Sequence, residues 1–110
     1  MSAKPYLVIR AFVDPAVQDE FERWYRETHL PHVLEIPGVV AAFRCRPLRQ
    51  GVNFTALYQL DNDSSVQQVF SSQEAQQARQ DWERWASHVR DMSVEVYSQL
   101  SPLPPYHHWN

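Results

Sequence analysis

Apolar residues recur along this chain with a period of two or of about 3.6, in the order strand, helix, strand, strand, helix, strand. Residues 6–13 alternate, with Leu7, Ile9, Ala11 and Val13 on one face and Tyr6, Val8, Arg10 and Phe12 on the other. Asp14-Pro15 then opens a helix, the aspartate as cap and the proline at the first helical position. Val17, Phe21, Trp24 and Thr28 are spaced to face the sheet, while Tyr25 and His29 lie one flank over as neighbours. Pro31 predicts that the regular helix ends near His29, with Leu30 extended, and that a short further turn runs to Glu35 before Pro37-Gly38.

Beyond that turn the spacing predicts strands over 39–47 and 53–60, joined at Gln50-Gly51. In the first of these, Val39, Ala41, Phe43 and Cys45 share a face, opposite Val40, Ala42, Arg44 and Arg46. A short helical piece over 66–70 leads through Ser71-Ser72-Gln73-Glu74 into a longer helix. Its stripe is Ala75, Ala78, Trp82, Trp85, Ala86 and Val89, and a last strand covers 92–100. The tail over 101–110 is rich in proline and reads as extended. The result is one α+β domain over 1–100, ferredoxin-like βαββαβ, with both helices on one face of a four-stranded antiparallel sheet. The other face is bare and carries Tyr6, Val8, Phe12, Val40 and either Leu57 or Tyr58. So much exposed apolar surface predicts a homodimer through the open sheet face, closing a barrel.

Composition narrows the function classes. The 110 residues carry a net charge of −3, which advertises no basic face for nucleic acid or anionic lipid. Nothing approaches the roughly 18 apolar residues of a membrane span. With only two glycines there is no phosphate-cradling loop, so no nucleotide cofactor is expected. The single Cys45 and the absence of a signal-like start suit a cytoplasmic protein.

The run FERWYRETHLPHVLEIPGV, followed by the arginine-bearing FRCRP, resembles the EthD-like branch of the dimeric α+β barrel superfamily. Its members include methylmuconolactone-type isomerases, antibiotic-biosynthesis monooxygenases, polyketide cyclases and haem-handling enzymes. In the isomerase-like members a histidine ends the first helix eight residues before a Pro-Gly, and His29 matches that position. The tyrosine that those members carry on the second strand has no counterpart near Ala42. The resemblance therefore implies a fold more than a reaction.

His29 is the leading catalytic candidate, as a general acid or base at the mouth of a barrel cavity; its plainer reading is a helix-end cap. Tyr25 joins it as a hydroxyl that orients the imidazole. Arg44 and Arg10 alternate onto the bare face, where they suit an enolate, phenolate or carboxylate, although Arg10 is also set to pair with Glu95. Tyr58, Trp85 and His88 complete the substrate-binding candidates; for Trp85 the plainer reading is core packing, and for His88 a helix-dipole partner. His32 lies beyond Pro31 with no readable direction. No metal is expected, because His29/His32 and His107/His108 have no third ligand at suitable spacing. Cys45 reads as an inert core thiol.

These residues fit a cofactor-independent isomerase, cyclase or monooxygenase acting on a small hydrophobic metabolite: aromatic, lactone or polyketide-like. The alternatives are a ligand-binding protein without chemistry and a haem-handling relative.

Overall fold

A computed structural model describes residues 4–98, and the tail over 101–110 lies outside them. Strand β1 (Tyr6–Val13) leads through the Asp14 cap and a 3-10 turn (Pro15–Val17) into α1 (Gln18–Trp24). A π turn (Tyr25–His29) and α2 (Leu30–Leu34) continue the same helical path. Then come β2 (Val39–Cys45), β3 (Phe54–Leu60), α3 (Val66–Ser71), α4 (Gln73–Asp81), a 3-10 segment (Trp82–His88) and β4 (Val89–Tyr97). The sheet is antiparallel in the order β2-β3-β1-β4. This is the expected α+β, ferredoxin-like arrangement.

The core lies between helices and sheet. Leu7, Ile9, Ala11 and Val13 from β1 and Phe54, Ala56, Tyr58 and Leu60 from β3 are all buried there. Phe21 is the hub on the helix side, with Trp24, Tyr25, Phe54, Trp82 and Trp85 around its ring at centroid distances of 5.0–5.8 Å. Fully burying a ring of this size contributes roughly 1.5–3 kcal/mol. The chain enters β2 through Gly38, whose φ is +92° and whose Cα lies so close to Ser65 that a Cβ would meet that side chain.

Two local irregularities overturn expectations read from ideal periods. Pro31 does not stop the helix. Leu30 is helical, and its N–H donates five residues back to the Tyr25 carbonyl. The widened turn carries Pro31 into the first turn of a new helical segment, where its missing N–H costs nothing. An α-helix turns about 100° per residue, which would set Thr28 within about 20° of Phe21 and His29 about 80° away. The π turn advances less per residue, so His29 swings inward and is 2% exposed, while Thr28 is left in solvent.

The second irregularity is a β-bulge at Val40, where Val39 pairs with Leu60 but Ala41 pairs with Gln59. One extra residue flips every later side chain to the opposite face. Ala42 and Arg44 therefore share the helix side with Tyr58 and Ala56, and Phe43 and Cys45 lie on the open face. Cys45 is exposed rather than a core thiol. The last strand also starts earlier than expected, at Val89, because the chain between α4 and β4 tightens to a 3-10 segment.

Candidate functional site

A pocket of about 290 Å³ opens between the helices and the β1–β4 half of the sheet. Leu7, Ile9, Met92 and Val94 form its apolar sheet wall, and Val33, Ile36, Val69, Ala75 and Ala78 its helix wall. Among the described residues, four of its lining side chains carry nitrogen or oxygen: His29, Tyr58, Arg79 and Trp82. It lies on the helix side of the sheet, not inside a barrel closed by the open face.

His29 is held from both ring nitrogens. Its Nδ1 lies 3.1 Å from Asp81 Oδ2, and the Trp82 indole N–H donates to its Nε2 at 3.0 Å. A carboxylate on one side and a donor on the other select the tautomer protonated at Nδ1. Trp24 stacks on the ring at 5.1 Å and 19°. Burial lowers the pKa of His29, with the Asp81 hydrogen bond and charge opposing it only in part, so the imidazole is neutral. Asp81 Oδ2 also receives His32 Nδ1 at 2.6 Å. Burial alone would raise the pKa of Asp81, yet the bonds from His32 and His29 bring it below the usual carboxylate range.

Tyr25 takes a different place from the one expected. Its ring centroid is 4.8 Å from that of His29, but its hydroxyl bonds to Tyr58 across the core. Orientation of His29 falls to Asp81 and Trp82 instead. Both phenols are buried, each hydroxyl is the other's one partner among the described residues, and either can donate. Tyr58 lines the pocket, whereas Tyr25 does not. Burial raises the pKa of both phenols, and both stay protonated.

Neither Arg10 nor Arg44 lines this pocket, and Arg10, on the open face, makes the pairing with Glu95 that the strand order predicts. Arg44, flipped by the Val40 bulge, pairs with Glu22 at 2.5 Å at the β2 edge. Trp85 is buried beside Phe21, and its Nε1 has no partner among the described residues. His88 lines a separate surface cleft with Phe12, Asp14 and Arg90, its Nδ1 3.8 Å from Asp14. Three members of the site carry no period-based signal: Asp81, Arg79, and Trp82 as a polar group. The one available hint was the His29/His32 spacing, which suits two imidazoles sharing one partner.

Among the described residues, no group of three His, Cys, Asp or Glu side chains is arranged to hold a metal ion. Among the described residues His29 is the one histidine lining this pocket, and both its nitrogens are hydrogen-bonded. No described helix is long and apolar enough to cross a membrane.

Fold and site together define a ferredoxin-like α+β domain with its pocket built within one chain. Residues 6–96 match the family described as a domain of unknown function (DUF4286), and the chain belongs to that family. No curated protein matches it in sequence. Among solved structures it is similar to an ethyl tert-butyl ether D (EthD) family protein from Bacillus halodurans. The TM-score is 0.71 at 18% identity, covering 88% of this chain and 99% of that one. It is also similar to SnoaB, a cofactor-independent oxygenase from Streptomyces nogalater, with a TM-score of 0.66 at 13% identity over 94% and 99% of the two chains. HapK from Hahella chejuensis gives 0.65 at 16% identity over 96% and 99%. Identities this low carry the fold alone.

Proposed function

We propose that this protein is a cofactor-independent enzyme that moves a proton on a small, largely apolar metabolite bound between helices and sheet. The observation that carries this reading is His29: a buried, neutral imidazole of fixed tautomer at the wall of an apolar pocket. A substrate oxygen that takes over the Trp82 N–H uncovers Nε2, which then accepts a proton from the adjacent acidic carbon or hydroxyl. The Asp81 carboxylate stabilises the imidazolium that results. The O–H of Tyr58 supplies a second donor to the developing enolate or phenolate. The fold likeness to a cofactor-independent oxygenase supports chemistry of this kind. Isomerase, cyclase and monooxygenase outcomes share this first step.

The same reading includes a homodimer through the open sheet face. It rests on Phe43, 51% exposed, and on the half-buried Leu57 beside it.

A second reading, a ligand-binding protein without chemistry, rests on the completeness of the His29 hydrogen bonding: neither nitrogen is idle. A panel of bicyclic aromatic ketones in heavy water separates the two. Exchange of the α-protons that is lost in His29→Gln supports the enzyme. Saturable binding by the wild type without exchange supports the binding protein.

A further inference from the structure

Arg79 gives the pocket a feature that proton transfer alone does not require. Among the described residues it is the one charged residue in the pocket lining, and no carboxylate lines the pocket with it. Ala75, Ala78, Arg79 and Trp82 fall on the same side of α4 and its extension, at helical spacing, so the arginine stem runs along the apolar wall. Tyr58, by contrast, is buried at the sheet floor, whereas Arg79 is exposed. Arg79 therefore belongs to the open rim of the pocket and Tyr58 to its buried floor.

The neighbours of Arg79 leave its guanidinium uncommitted. Arg10, Arg26 and Arg44 each pair with a glutamate, but Arg79 makes no ion pair among the described residues. Asp81, two residues on, is held by the two imidazoles of His29 and His32. An arginine presents a planar fork that matches a carboxylate with two parallel bonds.

We propose that Arg79 selects an acidic ligand: a flat apolar ring system whose carboxylate stays at the mouth while its ring oxygen reaches Tyr58 and His29. This rests on the pocket reading above and narrows its substrate class from apolar metabolites to aromatic or alicyclic acids. Anchoring at the mouth fixes which end of the molecule enters, and so which carbon faces Nε2.

Naphthoate and its neutral isostere naphthamide test this by calorimetric titration of the wild type, Arg79→Gln and Arg79→Lys. Naphthoate should bind the wild type about five-fold more tightly than naphthamide, as expected for a partly exposed charge pair, and high salt should erase the difference. Arg79→Gln should abolish the preference without weakening naphthamide, and Arg79→Lys should keep part of it. Binding of both probes with no preference for the acid, or a preference that survives in Arg79→Gln, overturns the role of Arg79 and leaves the pocket standing. Failure of both probes to bind the wild type overturns the pocket reading and this inference with it.

Discussion

One oxygen of Asp81 serves both His29 and His32, at 3.1 and 2.6 Å, and so ties the end of α4 to the π turn and to α2. The two imidazoles are not equivalent. His29 is enclosed, whereas the His32 side chain is 35% exposed and has water as an alternative partner.

Asp81→Ala should therefore act mainly through His29, whose buried Nδ1–H is left without an acceptor. The expected loss of stability is about 1–3 kcal/mol, measured by urea denaturation. Asp81→Asn keeps an acceptor oxygen and should cost less, while removing the charge that supports an imidazolium. Equal stability of the alanine variant and the wild type would mean that the shared contact is not made in solution.

The depressed pKa of His29 makes stability depend on pH with a definite sign. The ordinary imidazole value is 6.5, and burial holds the folded one lower. Below about 6.5 the unfolded chain takes up a proton that the folded chain refuses, so stability falls as pH drops, by up to about 1.4 kcal/mol per unit. The slope fades once pH passes the folded value. Asp81, also lowered, adds a further loss when pH falls through the ordinary carboxylate value of 3.8. Melting curves of the wild type and His29→Asn between pH 7 and 5 should diverge, with the variant's slope flatter. Parallel curves would contradict a buried neutral His29.

The Tyr25–Tyr58 bond predicts an asymmetry between two substitutions that delete one hydroxyl each. Tyr25→Phe leaves Tyr58 with the pocket it lines as an outlet, at a cost of about 0.5–1.5 kcal/mol. Tyr58→Phe strands the enclosed Tyr25 O–H and should cost about 1–3 kcal/mol. Chemical denaturation of both variants and the double variant measures the order and the coupling. The reverse order would mean that Tyr58 is the donor and that its hydroxyl does not serve the pocket.

What was legible in the sequence follows from what periodicity reports. The β1 faces, the Asp14-Pro15 start and the element order all follow from regular periods, and the structure reproduces them. Thr28, His29, Arg44 and Cys45 were misplaced because each follows an irregularity of one residue. The π turn shifts the helix phase before His29, and the Val40 bulge shifts the strand phase before Arg44. Neither leaves a compositional mark beyond Pro31. The site's other half is long-range: Asp81 and Trp82 meet His29 across 52 and 53 residues, and no local pattern announces that meeting. His29 still stands out in the sequence as a candidate, because a helix-end histidine before Pro-Gly is a local feature.

The Val40 bulge also decides which residue should control assembly. Without it Phe43 would face the helices; with it the ring stands on the open face, opposite Leu57 of β3 and 51% exposed. Leu57, half-buried, extends an apolar band from it toward Val8 of β1, which is already buried in the single chain. If a second copy covers that band, Phe43→Lys buries an unpaired ammonium at the interface, a change that costs several kcal/mol per copy and should yield monomers. Sedimentation velocity on the wild type and Phe43→Lys measures this directly. Because the pocket lies on the other side of the sheet, the monomeric variant should still bind naphthoate within about two-fold of the wild type, since sites this far apart act nearly independently. A wild type that sediments as a monomer at all concentrations would remove the dimer. Loss of ligand binding in a folded Phe43→Lys monomer would instead show that the pocket depends on the partner.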